Sequence, residues 1–303
     1  IYQETSEAVV LVTAFEKGRQ EMSLGSGTII RSDGLVLTNA HVISDEKSGR
    51  PYSQIRIYLK PGKITGNIKK DTTQKREATL LGYSARLDLA LLKIQPSDSL
   101  PSYRKLDFAD SSRVTIGDPV LAIGHPEQGG LWTLTTGTIS SQIENFQDIP
   151  GKNVFQTEAS INRGNSGGPL IDRNGYMVGV NSMISRIGKD GMVITGINFS
   201  IKSEVVINWL NSIGLKFASA IPGEEGNKEK IIAQDVGIVP VPKTESPKPE
   251  PEPQQFEGPR ILTDPHPYKE KDFYGQVEDE MEDMMKDMKG KIGSQKVPGR
   301  GQK

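Results

Sequence analysis

The stretch Gly164-Asn165-Ser166-Gly167-Gly168-Pro169 is the most informative part of the 303-residue sequence. Glycines on both sides of a serine give the backbone conformations that other residues adopt only at a cost. They also let a bound ligand approach the backbone and let successive N–H groups converge on one point, which is how donors for an oxyanion are arranged. The alternative interpretation is a glycine-rich turn that happens to contain a serine.

A serine becomes an effective nucleophile only beside a base, and the chain has three histidines that could supply one. His41 is the best candidate because it follows an apolar run at 35–37 and a Gly25-Ser26-Gly27 segment, so it can face a cleft. The alternative is a capping or core histidine. His125 precedes a proline and is interpreted as a loop residue, and His266 lies in a proline-rich tail where we expect it to be solvated.

A histidine that acts as a base needs a carboxylate to orient it and to stabilise its charged form. Asp88 begins the apolar segment 88–94, where a lone carboxylate is costly to bury without a hydrogen-bond donor such as a histidine ring N–H. The alternative is an exposed aspartate at the start of a strand. Weaker candidates in turn-like contexts are Asp110, Asp118 and Asp172.

Residues 9–214 are predicted to form one β-rich domain. Many short strands separated by turns favour a barrel or sandwich over alternating strands and helices. The predicted strands lie at 9–15, 27–30, 35–39, 55–59, 89–94, 119–124, 133–140, 176–181 and 196–201.

One helix is predicted near the end of this domain. Ser203 is expected to cap it, and Gly214 is expected to end it. Its apolar face has helical spacing, which predicts packing against the core; the residues of that face are Val206, Trp209, Leu210 and Ile213.

The composition changes after about residue 220, because 11 of the 19 prolines lie between Pro222 and Pro298. We therefore predict a folded domain at 1–220 and a charged, largely disordered tail at 221–303. The segment 277–291 has the composition of a short helix with a methionine face. It is interpreted either as a solvated, fraying helix or as a surface for a partner.

The composition also excludes several functional classes. Lys and Arg number 37 and Asp and Glu number 38, so no global field draws the chain to nucleic acid. The chain contains no cysteine, which excludes a thiol nucleophile, disulfides and cysteine-based metal sites. No apolar run is long enough to span a membrane. Neither a metal nor an organic cofactor is expected.

The order His41, Asp88, Ser166 along the chain, each at the edge of a short strand, is that of chymotrypsin-like serine proteases. The sequence resembles the HtrA/Deg-type members of that family from about residue 7 to 214. The matching segments are GSGTII (25–30), LTNAHV (37–42), DLALL (88–92), ASINRGNSGGPL (159–170) and GINFSI (196–201). The resemblance implies an all-β fold of two six-stranded β-barrels, a C-terminal helix and a site in the cleft between the barrels.

The resemblance also implies a serine endopeptidase that cleaves unfolded or exposed protein segments. Ser166 would be the nucleophile, His41 the general base and then the general acid, and Asp88 the residue that orients His41. The backbone N–H groups of Gly164 and Ser166 would form the oxyanion hole. No metal or cofactor takes part in this chemistry.

The substrate pocket is expected to have Ser160 as its floor, six positions before the nucleophile. Walls are expected from Asn181, Ser182, Asn198 and Phe199. Because no acidic residue stands at position 160, a preference for Lys or Arg is not expected. By resemblance, the residue before the cleaved bond should be small or medium aliphatic.

The sequence departs from the family pattern in three places. The lysine-rich segment 44–77 is interpreted as an inserted surface loop or hairpin, and no PDZ-like domain is predicted after residue 214. Residues 199–202 read Phe-Ser-Ile-Lys, which is expected to alter a helix start rather than the chemistry. Two alternatives stay open: a catalytically silent protease fold used as a chaperone or binding scaffold, and a glutamyl-specific secreted protease.

The resemblance further implies a homotrimer formed through the segment before the first barrel strand. Tyr2 is the candidate contact because an aromatic ring supplies rigid, amphipathic area at modest entropic cost. The alternative is a loose N-terminal stub. A periplasmic or secreted location is expected from the resemblance and from the first residue, which is Ile rather than Met.

Overall fold

The computed structural model describes residues 1–17, 21–96, 102–127, 129–182, 185–186, 197–220, 261–262 and 268–269. Six antiparallel strands close into a first barrel, in the order β1-β4-β5-β6-β3-β2 with β2 pairing back to β1. These strands are β1 Val9–Phe15, β2 Glu21–Arg31, β3 Leu35–Thr38, β4 Gln54–Tyr58, β5 Lys75–Ser84 and β6 Leu89–Ile94.

Six further antiparallel strands close into a second barrel, in the order β10-β11-β13-β9-β8-β7. They are β7 Pro119–Gly124, β8 Thr133–Ile143, β9 Val154–Thr157, β10 Pro169–Asp172, β11 Met177–Ser182 and β13 Asn198–Lys202. The prediction of two six-stranded barrels is confirmed.

The strand β1 is apolar along nearly its whole length because both of its faces are covered. Its residues from Val9 to Ala14 are buried, since one face fills the first barrel and the other lies towards the second. From the second barrel, the indole N–H of Trp132 donates to the Val9 carbonyl at 2.8 Å. This contact is one of the direct bonds between the two barrels.

An extended segment connects the barrels and runs along both. The Leu106 amide donates to the Ile29 carbonyl of β2, and the Ala109 amide donates to the Met177 carbonyl of β11, each at 2.9 Å. Phe108 is buried in the core between these two bonds. The connection therefore acts as a further tie between the barrels.

Three α-helices are described: α1 Tyr2–Thr5, α2 Ile68–Asp71 and α3 Ser203–Ser212. Three one-turn 3-10 helices lie at Ser6–Ala8, Ser111–Arg113 and Phe146–Asp148. The helix α3 is the one predicted from sequence, and its residues Val206, Trp209 and Leu210 are buried. Ile213 is 45% exposed, so the predicted apolar face is one residue too long.

The predicted cap of α3 is wrong in one detail. Ser203 is the first helical residue, Lys202 holds the N-cap position, and no side chain caps the helix there. The Ser203 hydroxyl instead donates to the Ala109 carbonyl at 2.9 Å, which ties α3 to the connecting segment. The helix ends as predicted: Gly214 has φ +88°, and the Leu215 amide donates to the Leu210 carbonyl at 3.0 Å, as in a Schellman motif.

The segment 44–77 is more than a surface insertion, because it contains β4 and the start of β5. In β4, Ile55 and Ile57 are buried in the first barrel. The loop between β4 and β5 carries α2, and Asp71 stabilises that loop by accepting from the amides of Thr65 and Gly66. The predicted strand at 55–59 corresponds to β4, which forms an antiparallel hairpin with β5. That this loop or hairpin is an insertion relative to the family stays a prediction.

Two short strands of the tail are described. Ile261–Leu262 (β14) pairs with Ser185–Arg186 (β12), and Tyr268–Lys269 (β15) pairs with the start of β2 at Glu21 and Met22. The predicted helix at 277–291 lies outside the described residues, as does His266.

Candidate active site

The candidate site lies where loops of both barrels meet. His41 follows β3 and Asp88 precedes β6, and these two strands are paired with Thr38 opposite Ala90. The pairing brings both loops to the same end of the first barrel. Ser166 lies between β9 and β10 of the second barrel, within residues 162–168, which we call the serine loop.

His41 and Asp88 form a close pair. The ring nitrogen Nδ1 of His41 is 2.9 Å from both carboxylate oxygens of Asp88, and the backbone amide of His41 donates to Oδ1 at 3.1 Å. A carboxylate next to Nδ1 fixes the tautomer in which Nδ1 carries the proton. The other nitrogen, Nε2, is then unprotonated and can accept a proton.

The backbone of Asp88 is itself constrained. Its φ is +59°, a left-handed conformation that costs a residue with a side chain about 1 kcal/mol or more. The Asn39 side-chain amide donates to the Asp88 carbonyl at 2.8 Å, which holds this turn in place. The turn aims the Asp88 carboxylate at the loop that carries His41.

The pair perturbs both pKa values. Burial disfavours the charged form of His41, but the charge of Asp88 and its hydrogen bond outweigh this effect and raise the pKa of His41 above its ordinary value. Burial likewise opposes ionisation of Asp88, but the attraction and hydrogen bonds of His41 lower its pKa below the ordinary value. The carboxylate is therefore ionised at neutral pH and stabilises a positive charge on His41.

Ser182, the last residue of β11, connects the second barrel to this pair. The Ser182 hydroxyl donates to Oδ2 of Asp88 at 2.9 Å, and Ser182 is buried. The sequence analysis assigned Ser182 to the substrate pocket and missed this contact. No local motif around Ser182 indicates it, because the two residues are distant in sequence.

Ser166 is 4% exposed, and its loop packs directly on the loop before His41. The Ser166 carbonyl accepts from the Ser26 amide at 2.8 Å. The next residue, Gly167, has φ +83°, and a Cβ at this position would lie 2.2 Å from the Thr38 hydroxyl oxygen and 3.1 Å from the Asn39 amide nitrogen. Only glycine permits this close approach, which brings Ser166 beside the segment that carries His41.

The amide of Gly164 is oriented by its neighbours. The Arg163 carbonyl accepts from the Glu127 amide at 2.8 Å, and in a trans peptide the following N–H points the opposite way. Within the described residues, the Gly164 N–H has no hydrogen-bond acceptor. Gly164 has φ +91°, and a Cβ there would lie 2.0 Å from the His125 carbonyl oxygen, so this position also requires glycine.

His125 lies in a loop, as the sequence predicted, but this loop residue is buried. It follows β7 directly, is fully buried, and packs edge-on against Trp132 with ring centroids 4.7 Å apart. Burial lowers the pKa of His125 to about 3, so its ring is neutral. Its Nδ1 lies 2.9 Å from the Ser26 hydroxyl oxygen.

Lys152 is a second buried group that the sequence analysis did not single out. Only 6% of this residue is exposed, and burial lowers the pKa of its ammonium group while the charge of Asp88 acts in the opposite direction. Its positive charge favours ionised Asp88 and lowers the pKa of His41. Lys152 therefore tunes the charges of the pair.

The predicted pocket residues differ in exposure. Ser160 is exposed and Asn198 is half-buried. Asn181 and Phe199 are buried; the Asn181 side chain donates to the Pro169 carbonyl at 2.8 Å, and Phe199 packs on Phe146 with centroids 4.5 Å apart. The assignment of these residues and Ser182 to a substrate pocket stays a prediction.

The other aspartates considered from sequence hold local turns. Asp110 accepts from the Ser112 amide, Asp118 from the Thr115 amide, and Asp172 from the Tyr176 amide. Tyr2, the predicted interface residue, is half-buried and donates its hydroxyl to the Trp132 carbonyl at 2.6 Å. In the described part of the chain, no cluster of three or more His, Asp or Glu side chains is arranged to hold a metal ion.

Comparison with known proteins points to one group. Residues 25–180 match a family model described as trypsin-like peptidase domain. The periplasmic serine endoprotease DegP of Escherichia coli K12 is 36% identical over 218 residues, which are 69% of this chain and 40% of the relative. The serine protease Do-like HtrA of Lactococcus lactis is 31% identical over 228 residues, which are 70% of this chain and 55% of the relative.

Solved structures agree with these sequence relatives. The HtrA-type protease AlgW, solved with a tripeptide, superposes with a TM-score of 0.55 at 31% identity, covering 70% of this chain and 61% of that one. A serine endoprotease from Yersinia pestis gives a TM-score of 0.52 at 31% identity, covering 70% and 64%. The chain thus spans 40% and 55% of the length of the two named relatives, and 61% and 64% of the two solved chains. Within the described residues, no helix is both long and apolar enough to cross a membrane.

Proposed function

The chain belongs to the trypsin-like peptidase family, among the HtrA/DegP serine endoproteases, and from this premise we propose that it hydrolyses peptide bonds with His41, Asp88 and Ser166. The observation that carries the proposal is the contact of His41 Nδ1 with both Asp88 oxygens at 2.9 Å. This contact leaves Nε2 free of the proton, so that it can serve as the proton acceptor. The same three positions match the family's motifs in sequence.

In the proposed reaction, Ser166 Oγ attacks the carbonyl carbon of the scissile bond while His41 Nε2 takes its proton. The C–N bond then breaks as His41 gives that proton to the leaving amine, and Ser166 carries the acyl group. Water repeats the sequence and releases Ser166. Asp88 keeps His41 in the right tautomer and stabilises its charged form at each stage.

The amides of Gly164 and Ser166 are proposed to donate to the oxyanion that forms in both steps. The bond from the Glu127 amide to the Arg163 carbonyl supports this role because it turns the Gly164 N–H, on the opposite side of the same peptide, away from residue 127. One such donor is typically worth about 10²- to 10³-fold in turnover.

Replacing the nucleophile is the direct test of this function. The full-length Ser166→Ala variant should fold as the parent does and should not cleave unfolded casein, whereas the parent should. Circular dichroism and thermal unfolding serve as controls for the fold. Cleavage by the purified variant at the parent's rate would refute the assignment. If the parent itself neither cleaves casein nor reacts with a fluorophosphonate, the chain is a silent scaffold instead.

We also propose that the substrates are unfolded or exposed protein segments outside the cytoplasm, as protein quality control or processing requires. Support comes from relatives that are named periplasmic serine endoproteases. By resemblance to the family, the residue before the cleaved bond is proposed to be small or medium aliphatic, and the serine at position 160 offers no acid to bind Lys or Arg. A peptide library should show enrichment of Val, Ala or Ile at that position, and a strong preference for Arg would refute it.

A further inference from the structure

Ser26 and His125 form a buried hydrogen-bonded pair beneath the serine loop, and the proposed mechanism does not use either of them. Both are 0% exposed. The Ser26 hydroxyl is 2.7 Å from the Gly164 carbonyl oxygen, 2.9 Å from His125 Nδ1 and 3.1 Å from the His125 amide nitrogen. A serine hydroxyl therefore stands at the centre of three polar contacts.

The direction of each bond follows from the number of hydrogens. A serine hydroxyl has one hydrogen, and the Gly164 carbonyl can only accept, so Ser26 donates to Gly164. Both contacts with His125 must then be donated to Ser26, by the backbone N–H and by Nδ1–H. This assignment agrees with the pKa of His125 near 3, which keeps the ring neutral with a single proton on Nδ1.

Ser26 holds the serine loop at two points. Its backbone amide donates to the Ser166 carbonyl at 2.8 Å, and its side chain donates to the Gly164 carbonyl two residues earlier. The preceding peptide is held separately by the bond from the Glu127 amide to the Arg163 carbonyl. The peptides before and after Gly164 are therefore both held by hydrogen bonds, the first by the Glu127 amide and the second by the Ser26 hydroxyl. Gly164 itself has φ +91°.

We propose that Ser26 and His125 are positioning residues, which hold the Gly164 carbonyl so that the Gly164 and Ser166 amides keep a common orientation towards the oxyanion. The inference rests on the proposed function, because it gives these residues a role in that reaction. Neither residue touches substrate. The pair is fully buried, so water is not freely available to replace a lost bond.

The effect should fall on turnover rather than on substrate binding. Without the Ser26 hydroxyl, the Gly164 carbonyl loses its hydrogen-bond donor. The peptide after Gly164 can then rotate, because glycine has little preference among backbone conformations. Misorientation of an oxyanion donor costs turnover because the donor acts mainly in the transition state. We expect Ser26→Ala to lower kcat by about 10- to 100-fold with KM within about twofold of the parent.

His125→Phe is expected to give a smaller loss than Ser26→Ala. Phenylalanine keeps a ring against Trp132 but cannot donate to the Ser26 hydroxyl, which still bonds the Gly164 carbonyl and the backbone amide at position 125. The matched control is Ser203→Ala, which removes another fully buried serine that donates to a backbone carbonyl at 2.9 Å, far along the chain and bonded to Ala109. Its kcat should equal that of the parent.

The experiment measures peptide hydrolysis by the full-length parent and the three variants, with thermal unfolding of each. Two readouts separate positioning from a general loss of structure. The affinity for a peptide boronate, which mimics the tetrahedral intermediate, should fall in Ser26→Ala along with kcat, and the pH dependence of kcat/KM should keep the parent's apparent pKa because His41 and Asp88 are untouched.

The outcomes distinguish this inference from the proposed function. An inactive parent would overturn the proposed function itself. An active parent with undiminished kcat and boronate affinity in Ser26→Ala would overturn the positioning role alone. Equal losses of kcat in Ser26→Ala and Ser203→Ala would also overturn it, because the effect would then reflect stability. Loss in Ser26→Ala, a smaller loss in His125→Phe and none in Ser203→Ala is the expected pattern.

Discussion

The Asp88 carboxylate accepts hydrogen bonds from three different groups in the candidate site. Its carboxylate accepts from the His41 ring, the His41 amide and the Ser182 hydroxyl. A buried carboxylate with this many donors stays ionised, because each bond compensates part of the cost of leaving water. Residues of both barrels share in this, so the state of Asp88 depends on how the barrels are assembled.

The Asp88→Asn variant should therefore lose most activity while keeping the fold. An asparagine can hold His41 in the wrong tautomer, with Nε2 protonated and unable to take the serine proton. By that reasoning kcat should fall by about 10⁴-fold. Steady-state hydrolysis of a peptide substrate checks this, with Asp118→Asn as control, since Asp118 holds only a local turn. Similar rates for Asp88→Asn and the parent would contradict the role of Asp88.

The pH dependence of activity should reflect the raised pKa of His41. Since the base must be unprotonated, kcat/KM should rise with pH through a value above 6.5, the ordinary pKa of histidine. Lys152 lowers the pKa of His41, so Lys152→Met should move this rise to higher pH. The exposed Lys75→Met is the control and should leave it in place. A shift to lower pH in Lys152→Met would contradict the assignment.

His125 should make the fold sensitive to acid. Its folded-state pKa is about 3 and its ordinary value is 6.5, so between these values the unfolded chain binds a proton that the folded protein does not. Stability is then lost as the pH falls from 6.5 towards 3. A phenylalanine at position 125 takes up no proton on unfolding. The melting temperature of the His125→Phe variant should therefore fall less between pH 7 and pH 4 than that of the parent. Equal falls would show that His125 does not titrate on unfolding.

At the residue scale, sequence reasoning found the groups with distinctive chemistry and missed those that act through packing. His41, Asp88 and Ser166 stand in recognisable local contexts. Ser26 was visible only as part of a glycine motif, and the role of His125 depends on burial by Trp132, which no local pattern reveals. Contacts such as Ser182 with Asp88 join residues from different barrels, so they require the three-dimensional fold.

Among the elements, α3 shows how a local motif ends a helix. Gly214 takes φ +88°, and no atom lies within 4 Å of where its Cβ would be. Gly214→Ala should thus cost about 1 kcal/mol from backbone strain alone. Gly62→Ala, also in open space but without a positive φ, should change stability by less than about 0.5 kcal/mol. Chemical denaturation of the two variants checks this, and equal stabilities would contradict it.

The strands that were predicted from sequence are those with dense apolar patterns. The predicted bounds of β1, β6 and β7 match the structure, because these strands are buried and flanked by turn residues. The sequence analysis missed β5, β9 and β10. The strand β5 carries charged residues at its start, and β9 and β10 have four residues each, so neither gives a strong alternation. These segments form strands because each one pairs with a neighbouring strand on both sides within a closed barrel.

At the scale of the whole molecule, the candidate site depends on both barrels at once. The first barrel supplies His41 and Asp88, and the second supplies Ser166 and Ser182. Hydrogen bonds from Trp132 to Val9 and from Ser26 to the serine loop connect the two barrels. We propose that residues 1–220 form the catalytic domain and that the tail 221–303 is not needed for hydrolysis.

We propose a homotrimer formed through the N-terminal segment, so light scattering should give about three times the chain mass of 33.1 kDa. Tyr2 already bonds the Trp132 carbonyl within its own chain, which orders this segment for a contact with a second copy. A strictly monomeric mass at micromolar concentration, with activity retained, would refute the trimer.

If the two barrels together make Ser166 nucleophilic, covalent labelling should detect it. The native full-length protein should react with a fluorophosphonate, and peptide mapping by mass spectrometry should find one adduct, on Ser166. The urea-unfolded chain and Asp88→Asn should show little labelling, because reactivity requires the paired His41. Absence of an adduct on Ser166 in the native protein, or an adduct on a different serine, would contradict the account.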